Sequence, residues 1–354
     1  MKLKRKHKMI ILCALLIMAS AVLIMFPKKA ASGAYRGIIN SLEIIVPSLF
    51  PFMVFSVFLT ESGLFERIFS LPATLLSKIT GLNKQFCSLF LIGMIGGYHS
   101  AAKSISLLCK KGTISPQSAS TLLCFCTNAG PAFLISAVGA GMFLSTSVGV
   151  ILYISSVLSS FSLMAFYTPK IKAQNETYKL KKHDNLSVCF VRSVKESCTT
   201  MSVMCAFIIL FSVFITLLPN FHASLFGLRN IIFGFFEVTS GCSAASGEIS
   251  LVAILSSAAI CGWGGLCVIF QIYAICGEAK IGLRSFIISR MSHSFLSALY
   301  TFLLLLAIPI STKQTFISNA VSAAPSFLSA PLPALMLLLC CVTFPIYVTK
   351  QKKL

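Results

Sequence analysis

Long apolar runs separated by short polar breaks set the pattern of this chain. Behind a basic segment at residues 1–8, Met9 to Phe26 is an uninterrupted apolar run. Further runs of spanning length fall at 38–60, 86–108, 118–140, 142–168, 198–218, 250–277, 285–308 and 332–349. A helix needs ~20 apolar residues to cross the hydrocarbon core of a bilayer. Two shorter segments, 64–80 and 228–240, read as interfacial or re-entrant. The first mixes Glu66, Arg67 and Lys78 with Leu and Ile at helical spacing, the pattern of a helix lying on the membrane surface. The pattern predicts an all-α polytopic membrane protein with about 8–10 transmembrane or re-entrant helices.

The first run is longer than the roughly 7–15 residues of a signal-peptide core, although Ala30-Ala31-Ser32 offers a cleavable site. It is read as a retained span with a cytoplasmic N-terminus. The clearly polar stretch is 169–196, with Lys170, Lys172, Lys179, Lys181, Lys182, Arg192 and Lys195. The positive-inside bias makes it cytoplasmic, together with the tail bearing Lys350, Lys352 and Lys353. An odd number of preceding spans would leave it outside, so either 86–108 or 118–140 is expected to be a re-entrant hairpin.

The expected organisation is a basic segment and first span at 1–34, a first half at 35–168, a basic cytoplasmic linker at 169–196, a second half at 197–310, and a last span with its basic tail at 311–354. The halves are weakly alike. In the first, Phe50 to Phe58 leads to Gly96-Gly-Tyr-His-Ser100 and then to Asn128-Ala-Gly-Pro131. In the second, Phe207 to Phe214 leads to Thr239-Ser-Gly-Cys-Ser243 and then to Gly262-Trp-Gly-Gly265. Paired Gly/Pro interruptions of this kind predict a two-fold inverted repeat with helices broken at the membrane midplane.

Composition narrows the classes. Of 354 residues, 56% are apolar and 11% charged, against roughly 25% charged in soluble domains. That excludes a soluble enzyme, a nucleic-acid module and a disordered chain. The net charge of +20 arises from 29 Lys plus Arg against nine Asp plus Glu. No basic stretch is interleaved with aromatics, so the excess reads as topology rather than nucleic-acid binding. The 14 cysteines show no CxxC pair or metal-ligand spacing and read as small packing residues. No metal and no cofactor is expected. No GxxxxGK[ST] loop is present to hold a nucleotide. The intramembrane acids are scattered and no nucleophile–base pair stands out, so the chain is not expected to be an enzyme.

The breaks carry the candidate chemistry. Pro131 has no N–H and discourages helix at Gly130. Asn128 to Pro131 is therefore expected to end a half-helix whose free amides hold an anion or small polar solute; a kinked continuous helix is the competing reading. Gly93 and Gly97 lie at helix-packing spacing, with His99 and Lys103 one turn apart beyond them. Lys103 either faces the solute or snorkels to the interface. Gly262 to Gly265 precedes Gln271, and Arg290 shares a helix face with His293. Glu43 and Glu237 are intramembrane acids, either functional or ion-paired with Arg290. The candidate substrate-binding set is Lys103, His99, Asn128, Gly130, Pro131, Gly264, Gln271 and Arg290, with Trp263 and Tyr98 as aromatic walls.

The pieces Pro47-Ser-Leu-Phe-Pro-Phe52, Gly96 to Lys103, Cys126 to Phe133, Glu237-Val-Thr-Ser-Gly241, Gly262 to Leu266 with Gln271, and Arg290 to His293 occur in an order that resembles the sporulation integral membrane protein family YlbJ, also called SpoVV. That family lies within the wider group bearing nucleoside-recognition Gate domains. His99 stands where the family usually has Pro, and Ala101 where it usually has Gly. The first break is thus expected to be less sharply kinked. The resemblance implies a transporter in the outer forespore membrane that moves a small anionic solute, dipicolinic acid, toward the forespore. It implies as partners the lipid bilayer and either a second copy of the chain or other sporulation membrane proteins. The alternative is a structural or assembly membrane protein needed for spore cortex or maturation, without transport.

Overall fold

The structure is a computed structural model and describes residues 2–173, 185–218, 228–247 and 250–307. The expected span at 332–349 and the basic tail lie outside the described residues. Every regular element described is helical.

Helix α1 (Lys2–Met25) is followed directly by α2 (Pro27–Ile39), where Pro27 occupies a first-turn position that needs no N–H donor. A π-helical turn at Asn40–Ile45 then leads into α3 (Val46–Ser62). The turn has a local cause. Pro47 cannot donate to the carbonyl four residues back, and the Val46 N–H reaches the Ser41 carbonyl instead. Gly63, at φ 69°, ends α3 in the left-handed region.

Next come the short helices α4 (Leu64–Ile68) and α5 (Ser70–Thr80). Their exposed Ile68, Leu71, Leu75 and Ile79 form one apolar stripe, as expected of an interfacial segment. Helices α6 (Lys84–Lys110) and α7 (Pro116–Cys126) follow, then a second π-helical segment, Ala132–Met142, and α8 (Thr146–Ala173). Beyond the polar region run α9 (Leu186–Leu217), α10 (Leu228–Phe236), α11 (Val238–Ala245), α12 (Leu251–Trp263), α13 (Gly265–Gly277) and α14 (Arg284–Ala307).

Among the described residues, five helical stretches are long and apolar enough to cross a membrane: Pro27–Ser62, Thr146–Ile171, Leu186–Leu217, Leu251–Gly277 and Arg284–Ala307. The protein is thus an all-α, multi-pass integral membrane protein. Two expected spans come out differently. Run 86–108 falls on α6, which is interrupted at Gly97. Run 118–140 is divided between α7 and the π-helical segment. Both are broken. The expected linker 169–196 is entered from both sides by helix, since α8 runs to Ala173 and α9 begins at Leu186.

The packing is polar inside and apolar outside. On α14, Ser289, Arg290, His293, Ser297 and Thr301 are buried while Ile288, Met291, Phe295 and Leu306 are exposed. On α8, Ser155, Ser156, Ser159 and Ser160 are buried while Ile154 and Phe166 are exposed. Lipid solvates the apolar faces, and the hydroxyls find partners only within the bundle. At the polar ends of α3, α6 and α9, Glu61 pairs with Lys111 at 2.9 Å and Arg192 at 3.3 Å. Lys103 pairs with Glu196 at 2.6 Å.

Close approach of α2 to α9 depends on glycine. A Cβ on Gly37 would lie 2.6 Å from the Ile209 Cα, and one on Gly33 2.8 Å from the Val213 Cα. Gly37→Leu is expected to separate the two helices and cost about 1–3 kcal/mol. A thermal melt in detergent would show it as a lowered midpoint; an unchanged midpoint would mean the crossing is not rigid.

Candidate functional site

The site grows from the breaks in the helices. Gly97 has φ 81° and ψ −173°, a conformation open to glycine and strained for any side chain. A break is therefore present two residues before His99. The chain leaves α7 at Thr127 in an extended conformation, φ −85° and ψ 113°. It re-enters helix after Pro131. A continuous kinked helix through Asn128 is thereby excluded. The two breaks lie against one another: a Cβ on Gly97 would sit 3.2 Å from the Gly130 nitrogen. Gly93 is held even more tightly, since a Cβ there would fall 1.8 Å from the Cys126 carbonyl oxygen.

The second half has its own pair. Glu237 breaks the chain between α10 and α11, with φ −146° and ψ 124°. Its carboxylate accepts hydrogen bonds from the Thr239 and Ser240 amides, each at 2.7 Å. Gly264 and Gly265 separate α12 from α13 with φ 83° and 79°. A Cβ on Gly265 would lie 3.0 Å from the Phe236 carbonyl oxygen. The break at 264–265 therefore packs on the break at 236–237.

Side chains join the two pairs. The Tyr98 hydroxyl donates to the Cys261 carbonyl, and His99 Nε2 lies 2.6 Å from Gln271 Oε1. Between them is a cavity of about 40 Å³, bordered by Gly97, His99, Gly130, Glu237, Thr239 and Gln271 among others. The borders include the opening turns of the second half of α6, the π-helical segment, α11 and α13, and apolar side chains such as Leu49 and Met53 of α3 and Met204 and Ile208 of α9. The positive ends of helix dipoles thus converge there, with the first amides of α11 already taken by Glu237. Thr239 Oγ1 is buried with no hydrogen-bond partner among the described residues. The volume suits a small number of waters. It is far below the roughly 300–1,000 Å³ of small-molecule sites, so this conformation is closed to any larger solute.

The candidate residues separate accordingly. His99, Gly130 and Gln271 border the cavity. Pro131 starts the π-helical segment beside it, and Gly264 shapes the second break without bordering it. Asn128 is fully buried behind the wall. Its Oδ1 accepts from the Ala129 amide at 2.9 Å and from the Ser156 hydroxyl, so it ties the break to α8. Lys103 lies outside the cavity in its ion pair with Glu196.

Arg290 is also outside the cavity. Its Nη2 donates to the Cys124 carbonyl at 3.3 Å and its guanidinium lies 5.5 Å from the Phe286 ring centre. It thus caps the C-terminal end of half-helix α7. The expected ion pair of Arg290 with Glu237 or Glu43 is absent among the described residues. Glu237 is occupied by the amides of α11, and Glu43 is exposed on the π-helical turn. His293 is held by Ser160 and Ser297, each at 3.1 Å. Trp263 is not free to form an aromatic wall: it stacks on Phe235 with ring centres 5.6 Å apart. Tyr98 does border the cavity.

Glu237, named in the sequence only as an intramembrane acid, and Thr239 were not in the substrate-binding set. The available signal was local: an acid just before a run of small polar residues marks a helix start, and here it also puts a carboxylate at membrane depth.

Fold and site together define a multi-pass membrane protein whose helices are broken around a small internal cavity with apolar walls and a few polar groups. The chain is similar to the sporulation integral membrane protein YlbJ of Bacillus subtilis (strain 168), with 24% identity over 340 residues, covering 84% of this chain and 83% of that protein. No protein-family model matches the chain. No solved structure matches it.

Proposed function

We propose that this protein is a carrier for a small anionic solute, dipicolinate, across the outer forespore membrane, from mother cell to forespore. The observation that carries the reading is the convergence of half-helix starts on one buried cavity, at Gly97 to Ser100, Gly130 to Phe133, Val238 to Thr239 and Cys267 to Gln271. Helix starts there favour anions without a fixed cation, although the first amides of α11 are held by Glu237. The similarity to a protein named for sporulation supports the cellular setting. The expected inverted repeat is part of the same proposal, and it starts from the order of elements. A long helix precedes two broken ones and a further long one, first as α3, α6, α7 with its π-helical segment, and α8, then as α9, α10–α11, α12–α13 and α14. Transport then requires the halves to part, because the closed cavity of about 40 Å³ is too small for the solute.

The test is counterflow. Purified full-length protein is reconstituted in liposomes preloaded with unlabelled dipicolinate at equal pH on both sides, and uptake of labelled dipicolinate is followed. Uptake well above that of empty liposomes is expected. Uptake equal to theirs would overturn the carrier reading. The closed cavity favours a second reading, an assembly protein for spore maturation without transport, and that null result is what it predicts.

A further inference from the structure

Glu237 is unused by the anion-binding reading, and at first sight opposes it. Its side chain borders the cavity and the residue is only 1% exposed. No lysine or arginine borders that cavity, and among the described residues no cation pairs with Glu237. A carboxylate and an anionic solute cannot both stay charged in one small buried space without a compensating positive charge.

We propose that Glu237 binds a proton that travels with the anionic solute, which makes the carrier proton-coupled. This rests on the carrier reading above. Each carboxylate oxygen already faces an N–H donor, from Thr239 and from Ser240. A metal ion at the carboxylate would meet those donors, whereas a proton needs only one remaining lone pair. The Thr239 hydroxyl, buried, unpartnered and bordering the same cavity, is a hydrogen-bond partner for the carboxyl or for a water that delivers its proton.

The other titratable groups around this space are Tyr98 and His99 from α6, Cys242 from α11, Cys261 from α12 and Cys267 from α13, with the Arg290 cation of α14 behind Tyr98 and not bordering the cavity. The Tyr98 hydroxyl and the His99 ring are engaged with the Cys261 carbonyl and Gln271. The Cys242 and Cys261 sulfurs lie 3.5 Å apart. The Cys267 sulfur accepts from Gln271 Nε2 at 3.1 Å. Glu237 is the carboxylate of the group.

The experiment uses the same dipicolinate liposomes with three arms: equal pH, an inward proton gradient, and an inward sodium gradient at equal pH. A one-unit pH gradient supports about tenfold accumulation per coupled proton. The expected result for the native protein is accumulation under the proton gradient, none under sodium, and acidification of a pH dye trapped in the lumen. In Glu237→Gln the ratio of acid-driven to equal-pH uptake is expected to fall to about one, whatever the absolute rate. Exchange at equal pH without a proton response in the native protein would overturn the coupling and leave the carrier reading standing. A sodium-driven response, or a proton response that survives in Glu237→Gln, would overturn it too. Absence of exchange in every arm would overturn the carrier reading and this inference with it.

Discussion

Gly97→Ala is expected to reduce dipicolinate exchange strongly and to lower thermal stability by about 1–3 kcal/mol, the usual cost of a side chain in a strained backbone conformation. Gly97 sits at φ 81° and ψ −173°, and its neighbour across the break is the Gly130 backbone, 3.2 Å from where the new methyl would lie. That neighbour is main chain and cannot rotate aside. The chain then either keeps the break under strain or straightens α6 and withdraws the amides after Gly97 from the cavity. Exchange should fall at least about tenfold, since each ~1.4 kcal/mol spent on restoring the break removes a factor of ten. Gly277→Ala is the control, because nothing lies within 4 Å of its Cβ position. Equal exchange by the two variants would show that the first break has no part in transport.

Arg290→Met should separate stability from function. The guanidinium is fully buried, and its Nε and Nη1 have no partner among the described residues. A buried charge without a counter-charge is costly. Methionine keeps much of the side-chain volume and removes the buried charge. The thermal midpoint is therefore expected to stay level or rise, even though the hydrogen bond to the Cys124 carbonyl is lost. Exchange is expected to collapse. Without the cation the end of half-helix α7 loses its cap, and the positive charge beside Tyr98 disappears. A midpoint lowered by several degrees would show that Arg290 is a structural brace and that its unpaired donors are not a reserve kept for transport.

The breaks were legible residue by residue, and their company was not. Pro131 and the glycines at 96–97 and 264–265 mark places where helix is weak, for reasons local to their own chemistry. Nothing local says that Gly97 meets Gly130, or that His99 reaches Gln271 across 172 positions of chain. Polar residues at depth were equally visible, but their roles were assigned by proximity in type. Arg290 looked like an ion-pair partner for Glu237, yet each turns to backbone instead, one through a single hydrogen bond to the Cys124 carbonyl and the other through a helix's first amides. Lys103, a solute candidate in the sequence, found Glu196 instead.

Taken alone, the sequence determined that this chain lives in a membrane, where its apolar stretches begin and end, and where the backbone must leave the helix. Those outcomes follow from composition and from the torsional preferences of single residues, which act within a turn or two. The tertiary structure alone decided that the interruptions pair across each half, that amide-bearing helix starts face one cavity, and that Glu237 stands within it while Arg290 and Asn128 stand behind. Lipid imposes that difference. It leaves an unpaired amide or carboxylate nowhere to go except another part of the same chain, and which part it finds is a property of the packed bundle.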